Sequence, residues 1–117
     1  MGYSEKLPYY ASRTQVQMAY HATEAKIVRR VIRALKKNGT PVTSIWDGEE
    51  STAVRTEREA MATVFNLDWA ALSTETGSYV LIHIGNAWEC ITDYTLDLEA
   101  ALAEAEAWIA KNDPDNR

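Results

Sequence analysis

Apolar residues recur at helical spacing most plainly between Lys26 and Lys37. Ile27, Val28, Val31, Ile32 and Leu35 fall on one arc of a helical wheel. Lys26, Arg29, Arg30, Arg33, Lys36 and Lys37 fall on the opposite arc. The pattern predicts an amphipathic helix with one buried face and one basic face. Ser12 followed by Gln15 has capping-box spacing, so the helix can begin there. It either runs unbroken to Lys37 or restarts near His21–Thr23, with Thr23 as a second cap. Asn38-Gly39 ends it and Pro41 forbids its continuation.

Beyond Pro41 the period changes. Val42 to Trp46 is β-branched and aromatic and reads as a strand, Asp47-Gly48-Glu49-Glu50 as a hairpin turn, and Ser51 to Arg55 as the return strand. Thr56-Glu57-Arg58-Glu59 is a capping box that opens a short helix, Glu57 to Phe65. Strands follow at Leu67–Thr74, Tyr79–Ile84 and Trp88–Asp93, divided by Thr76-Gly77 and Gly85-Asn86, and together they form an antiparallel meander. The run Tyr79–Ile84 is almost continuously apolar and belongs in the middle of the sheet, covered on at least one face. Asp97 caps a last helix, Leu98–Lys111, whose Leu98, Ala101, Leu102, Ala105, Trp108 and Ile109 share a face. The expectation is an α+β fold: a single two-layer domain over residues 12–111, in the order α-β-β-α-β-β-β-α, with helices packed on one face of an antiparallel sheet. Residues 1–11 form an irregular arm and residues 112–117 a frayed polar tail.

Composition narrows this picture. A chain of 117 residues fits one domain with a core of its own. Its single cysteine, Cys90, leaves no internal disulfide and fits a reducing compartment. Met1–Tyr10 lacks the apolar run of a signal peptide, and no window reaches the ~20 apolar residues of a membrane span. A cytoplasmic protein without a membrane partner is expected. Lys6 stands where a myristoylation signal needs Ser or Thr.

Charge is unevenly spread. Residues 1–58 carry 10 of the 12 bases and 6 of the 17 acids, a surplus of four positive charges. Residues 59–117 carry 2 bases and 11 acids, a surplus of nine negative charges. Such asymmetry bears on partner choice rather than on fold. The basic face of helix 26–37 can meet phosphates, although no nucleic-acid-binding motif accompanies it; its plainer reading is a solvated face, or one paired with acids of the C-terminal half. Asp93, Asp97, Glu99 and Glu106 can present acid to a basic protein, but Glu104 points away from Glu99 and Glu106 on the last helix, so a broad acidic face does not follow.

Catalytic and metal chemistry find little support. The three carboxylates of Asp47–Glu50 are too few and too close for a calcium loop. His83 and Cys90 lie opposite each other if residues 86 and 87 turn the hairpin, but no third group orients them, and they read as a strand histidine and a buried thiol. His21 is isolated. The glycines are singletons, so no phosphate-cradling loop exists, and no cofactor, metal or enzymatic activity is expected. Of the four tryptophans, Trp46, Trp69 and Trp88 fall on predicted strands. A two-layer fold leaves one sheet face open, so a strand tryptophan is either core or part of an exposed interface.

Ile45-Trp46-Asp47-Gly48-Glu49-Glu50, Val64-Phe65-Asn66-Leu67-Asp68, Gly85-Asn86 and Asp93-Tyr94-Thr95 occur in that order after a helix ending Leu35-Lys36-Lys37-Asn38-Gly39. The run, about residues 25–110, resembles small phage- and prophage-encoded proteins with WDGEE, VF-x-x-D, GN and DYT elements. The resemblance carries no assigned activity and no site residues. It implies an accessory protein of the bacterial host cytoplasm that binds and modulates a host protein, for instance as an inhibitor of a defence system of the anti-CRISPR kind. The alternative is a nucleic-acid-binding regulator using the basic face of helix 26–37. A homodimer closing an open sheet face or edge stays open as well.

Overall fold

The computed structural model describes residues 15–116, with side chains over residues 21–115. The arm expected over residues 1–11 and the cap at Ser12 lie outside the described residues. Helix α1, Gln15–Lys37, runs without a break through Thr23. Its apolar arc is buried as its period requires: Ile27, Val28, Val31, Ile32 and Leu35 are all core residues. Gly39 ends the helix at φ 87°, where its N–H reaches the Lys36 carbonyl and that of Thr40 reaches Leu35.

Strands β1 (Val42–Trp46), β2 (Ser51–Ala53), β3 (Trp69–Thr74), β4 (Tyr79–His83) and β5 (Ile91–Tyr94) form one antiparallel sheet in the order β2-β1-β3-β4-β5. Helix α2 (Glu57–Val64) joins β2 to β3, and helix α3 (Glu99–Asn112) follows β5. The predicted element order and the two-layer α+β arrangement are present. The capping box at α2 has formed in full: Thr56 Oγ1 accepts from the Glu59 N–H at 3.1 Å, and Glu59 Oε1 accepts from the Arg55 N–H at 2.7 Å. The Asp47 carboxylate closes the β1–β2 turn by accepting the N–H groups of Glu49 and Glu50 at 2.8 and 2.7 Å. Those bonds also hold its pKa below the usual carboxylate value.

The core lies between the helices and one sheet face. Ile45, Ala70, Leu72, Val80 and Ile82 point from the sheet, and Ala60, Val64, Leu98, Leu102 and Ala105 come from the other side. Both edge strands are short. β2 has three exposed residues, and β5 has four residues with a register shift against β4. Short, irregular edges discourage strand addition.

Four local expectations need correction. The fifth strand does not begin at Trp88. Ala87–Glu89 is a 3-10 turn, and β5 starts at Ile91. The third begins at Trp69, because Asn66 and Leu67 still donate to carbonyls of α2, Thr63 and Val64. Asp97 does not cap α3: Leu96–Leu98 is a 3-10 turn, and the Asp97 carboxylate accepts from the Ser78 hydroxyl instead. The last helix runs to Asn112 rather than Lys111, its Asn112 amide reaching the Trp108 carbonyl at 2.8 Å, and Pro114–Asn116 forms a further 3-10 turn.

Candidate functional site

Among the described residues, no element covers the face of the sheet opposite the helices. Alternation along the strands decides which side chains it shows. On β3, Ala70, Leu72 and Thr74 point inward, leaving Trp69, Ala71 and Ser73 outward. On β4, Val80 and Ile82 point inward, leaving Tyr79, Leu81 and His83 outward. Register sets Trp46 opposite Ala71, Ala71 opposite Leu81, and Leu81 opposite Asp93. Trp46, Trp69, Ala71, Ser73, Tyr79 and Leu81 therefore line one hollow of about 410 Å³. Trp46 is 38% exposed and Tyr79 36%. His83 stands edge-on to Trp69, ring centroids 6.5 Å apart, and Asp93 lies exposed beside Leu81. The small residues Ala71 and Ser73 form the floor, so the large rings stand as walls. Such a surface has the features of an interface anchor, with amphipathic aromatics around a shallow apolar depression.

Trp88 is not part of that face. It sits in the 3-10 turn on the helix side, its ring 5.8 Å from Trp108 of α3. The guanidinium of Arg30 lies 3.8 Å above the Trp108 ring. Arg30, Trp108 and Trp88 thus stack in sequence across α1, α3 and the turn.

The six cations of α1 do not form one free basic face. Arg33 donates from Nε and Nη2 to the Glu57 carboxylate at 2.8 and 2.9 Å, and Arg29 Nε lies 3.3 Å from the same group. The two-pronged contact raises the Arg33 pKa and lowers that of Glu57. Glu57 belongs to α2, so the pairing acid comes from the N-terminal half of the chain rather than the C-terminal half. Lys26, Lys36 and Lys37 are exposed. Between α1 and α3 runs a groove of about 420 Å³ lined by Arg30, Arg33, Lys37 and Lys111 around Ala34, Ala105, Ala107 and Trp108, with Glu104 its one acid. It continues past Asn38 along Ala100, Ala101 and Ala103.

The acidic candidates separate in the same way. Asp97 is engaged by Ser78 and Thr95, which lower its pKa. Glu99 and Glu106 flank Tyr94 together with Asp93, and after burial their charges are what raise the Tyr94 pKa. Asp93, Asp97, Glu99 and Glu106 do not share a surface with Trp46 and Trp69, apart from Asp93 at its margin.

The His83–Cys90 pair is joined through the backbone, His83 N–H to Cys90 O at 2.8 Å. The side chains diverge: His83 faces outward beside Trp69, and the Cys90 thiol is fully buried in the core. Burial and the charge of Glu24 push that thiol up to about 12. A thiol so held is not a nucleophile. Among the described residues no group of three or more His, Cys, Asp or Glu can hold a metal, and no described helix is long and apolar enough to cross a membrane.

The residue least visible in the sequence is Glu24. Its carboxylate is fully buried under α1. Oε2 accepts from the backbone N–H of Gly85 at 2.6 Å and of Ala87 at 2.8 Å, and Oε1 lies 3.2 Å from His21 Nδ1. Burial raises the Glu24 pKa, and the backbone bonds of Gly85, Ala87 and Asn86 oppose that rise. One signal was present in the sequence: Glu24 precedes Ile27 by three and Val28 by four, which puts a carboxylate on the apolar arc. Likewise His21, three residues before Glu24, is buried rather than isolated. Tyr79 and Leu81 also escaped sequence reasoning as site residues, because the unbroken apolar run did not say which side was core. Compared with family models, with curated proteins and with solved structures, the chain matches none.

Proposed function

We propose that this chain is a non-enzymatic binding protein that docks on a partner protein through the uncovered sheet face around Trp46, Trp69, Tyr79 and Leu81. The observation that carries this reading is that hollow itself, four large side chains ringing a small-residue floor on a face that no described helix covers. Among the described residues no charged side chain lines it, and the charges next to it are carboxylates, Asp93 at the margin and the Asp47–Glu50 turn beside Trp46 and Trp69, which suits a patch on a protein and not a phosphate backbone. The resemblance to phage and prophage proteins gives the setting: a host protein of the bacterial cytoplasm as target, modulated by occlusion, with a component of a defence system as one form. The alternative, nucleic acid on the basic face of α1, is weakened because Arg29 and Arg33 are tied to Glu57 and Arg30 to Trp108.

The test is capture from nuclease-treated bacterial lysate with the tagged chain and with its Leu81→Asp variant, followed by reconstitution with the purified partner. One protein bound at near-equal stoichiometry by the parent and lost by the variant supports the reading. A partner bound equally by both, or no partner at all, overturns it. Self-association of the parent that Leu81→Asp abolishes would assign the face to a second copy instead.

A further inference from the structure

The groove between α1 and α3 lies on the opposite side of the molecule from the aromatic sheet face. We infer that it is a second binding site, and that its occupant is an acidic amphipathic helix of a protein partner. Two observations select that chemistry. The first is charge. Arg33 is tied to Glu57, but among the described residues Arg30, Lys37 and Lys111 line the groove without a carboxylate partner, against the one lining acid Glu104. Lys37 and Lys111 are exposed and, among the described residues, make no ion pair, so their charges face outward unanswered. The second is shape. The floor is apolar, Trp108 and the alanines of both helices, and the trough runs on along α3 past Asn38. Alanines on two neighbouring helices leave a furrow that accepts the apolar ridge of a third, at the usual 8–10 Å between axes. The cations then meet carboxylates flanking that ridge.

A phosphate backbone is the poorer occupant. It has no apolar ridge to bury on the groove floor of Trp108, Ala34, Ala105 and Ala107. Arg30 adds a positioning element. Its stacking on Trp108 fixes the guanidinium plane at the groove wall while leaving N–H groups to donate.

The experiment uses the full chain and a labelled synthetic peptide with leucines at i, i+3, i+4 and i+7 and glutamates between them, read by fluorescence anisotropy at low salt. Controls are the same peptide with lysines for glutamates and a labelled single-stranded DNA. The acidic peptide should bind, the basic one should not, and Lys37→Glu with Lys111→Glu should weaken binding about tenfold or more. Lys37→Gln with Lys111→Gln, which adds no repulsion, should weaken it by a smaller factor and serves if the double reversal disturbs folding. Leu81→Asp should leave the affinity unchanged, which separates this site from the sheet face. Absence of acidic-peptide binding, indifference to both double variants, or tighter binding of DNA than of peptide would overturn the inference.

Discussion

Glu24 and Gly85, 61 positions apart, are joined by a carboxylate-to-backbone hydrogen bond of 2.6 Å beneath the first helix. With the companion bond to Ala87, one side chain of α1 fixes the backbone that links β4 to β5. That backbone is unusual, with Gly85 at φ 110° and Ala87, a residue with a Cβ, at φ 53°. The left-handed conformation at Ala87 carries a cost that the two side-chain-to-backbone bonds help to offset. Glu24→Ala would strand two inward N–H groups and free the turn. It should lower stability by about 2–4 kcal/mol in urea unfolding. Glu24→Gln keeps an acceptor and should cost less.

The same carboxylate makes stability depend on pH. Its folded pKa is raised by burial, so the folded state keeps the proton to higher pH than the unfolded state does. Its contribution is therefore most favourable below the unfolded pKa of ~4.3 and declines as pH rises through the folded value. Urea midpoints of the parent measured from mildly acidic to neutral pH should contain this declining component. Glu24→Gln should remove it, and identical pH profiles for the two proteins would show that Glu24 does not titrate as described.

Cys90 gives a chemical readout of the same region. Its thiol is buried and its pKa stands at about 12. It should resist alkylation by iodoacetamide in the folded chain at neutral pH and react rapidly once urea unfolds it. Mass spectrometry before and after denaturation checks this, and fast modification of the native protein would contradict the burial.

The two sheet faces should respond oppositely to substitution. Leu72 is fully buried on the helix side, and Leu72→Ala should cost about 2–5 kcal/mol. Trp46 is exposed on the open face, and Trp46→Ser should change stability by no more than ~1 kcal/mol while weakening partner binding. Thermal melts and a binding assay on both variants separate fold from function. A large stability loss at Trp46 would mean that its role is packing.

Trp108 supports a smaller effect. Arg30→Ala removes the cation above the indole and should cost about 0.5–1 kcal/mol, with a change in tryptophan emission. Unchanged emission and stability would remove Arg30 from the stack.

The helices were legible because their period is redundant. Five apolar residues on one arc of α1 and the complete capping box before α2 each leave one arrangement, and both are found as read. The β4–β5 link was not legible, since its shape depends on a carboxylate supplied by a distant helix. Tyr79 and Leu81 were hidden for another reason. With apolar residues on both sides of β4, alternation cannot tell core from open face until register with β3 is known. The cationic groove requires α1 and α3 to be neighbours, a tertiary fact with no local trace. Asp97 shows the converse, a residue with sound capping chemistry drawn away by a closer hydroxyl on Ser78.

Helix α1 touches α2, α3, β1 and the turn after β4. Its partners come from all along the chain, α2 and β1 soon after it and the turn and α3 much later. Full burial of Ile27, Val28, Val31, Ile32 and Leu35 therefore depends on contacts of long as well as short sequence separation. Loss of α3 would leave part of that stripe bare, since Leu102 and Ala105 belong to the same core cluster.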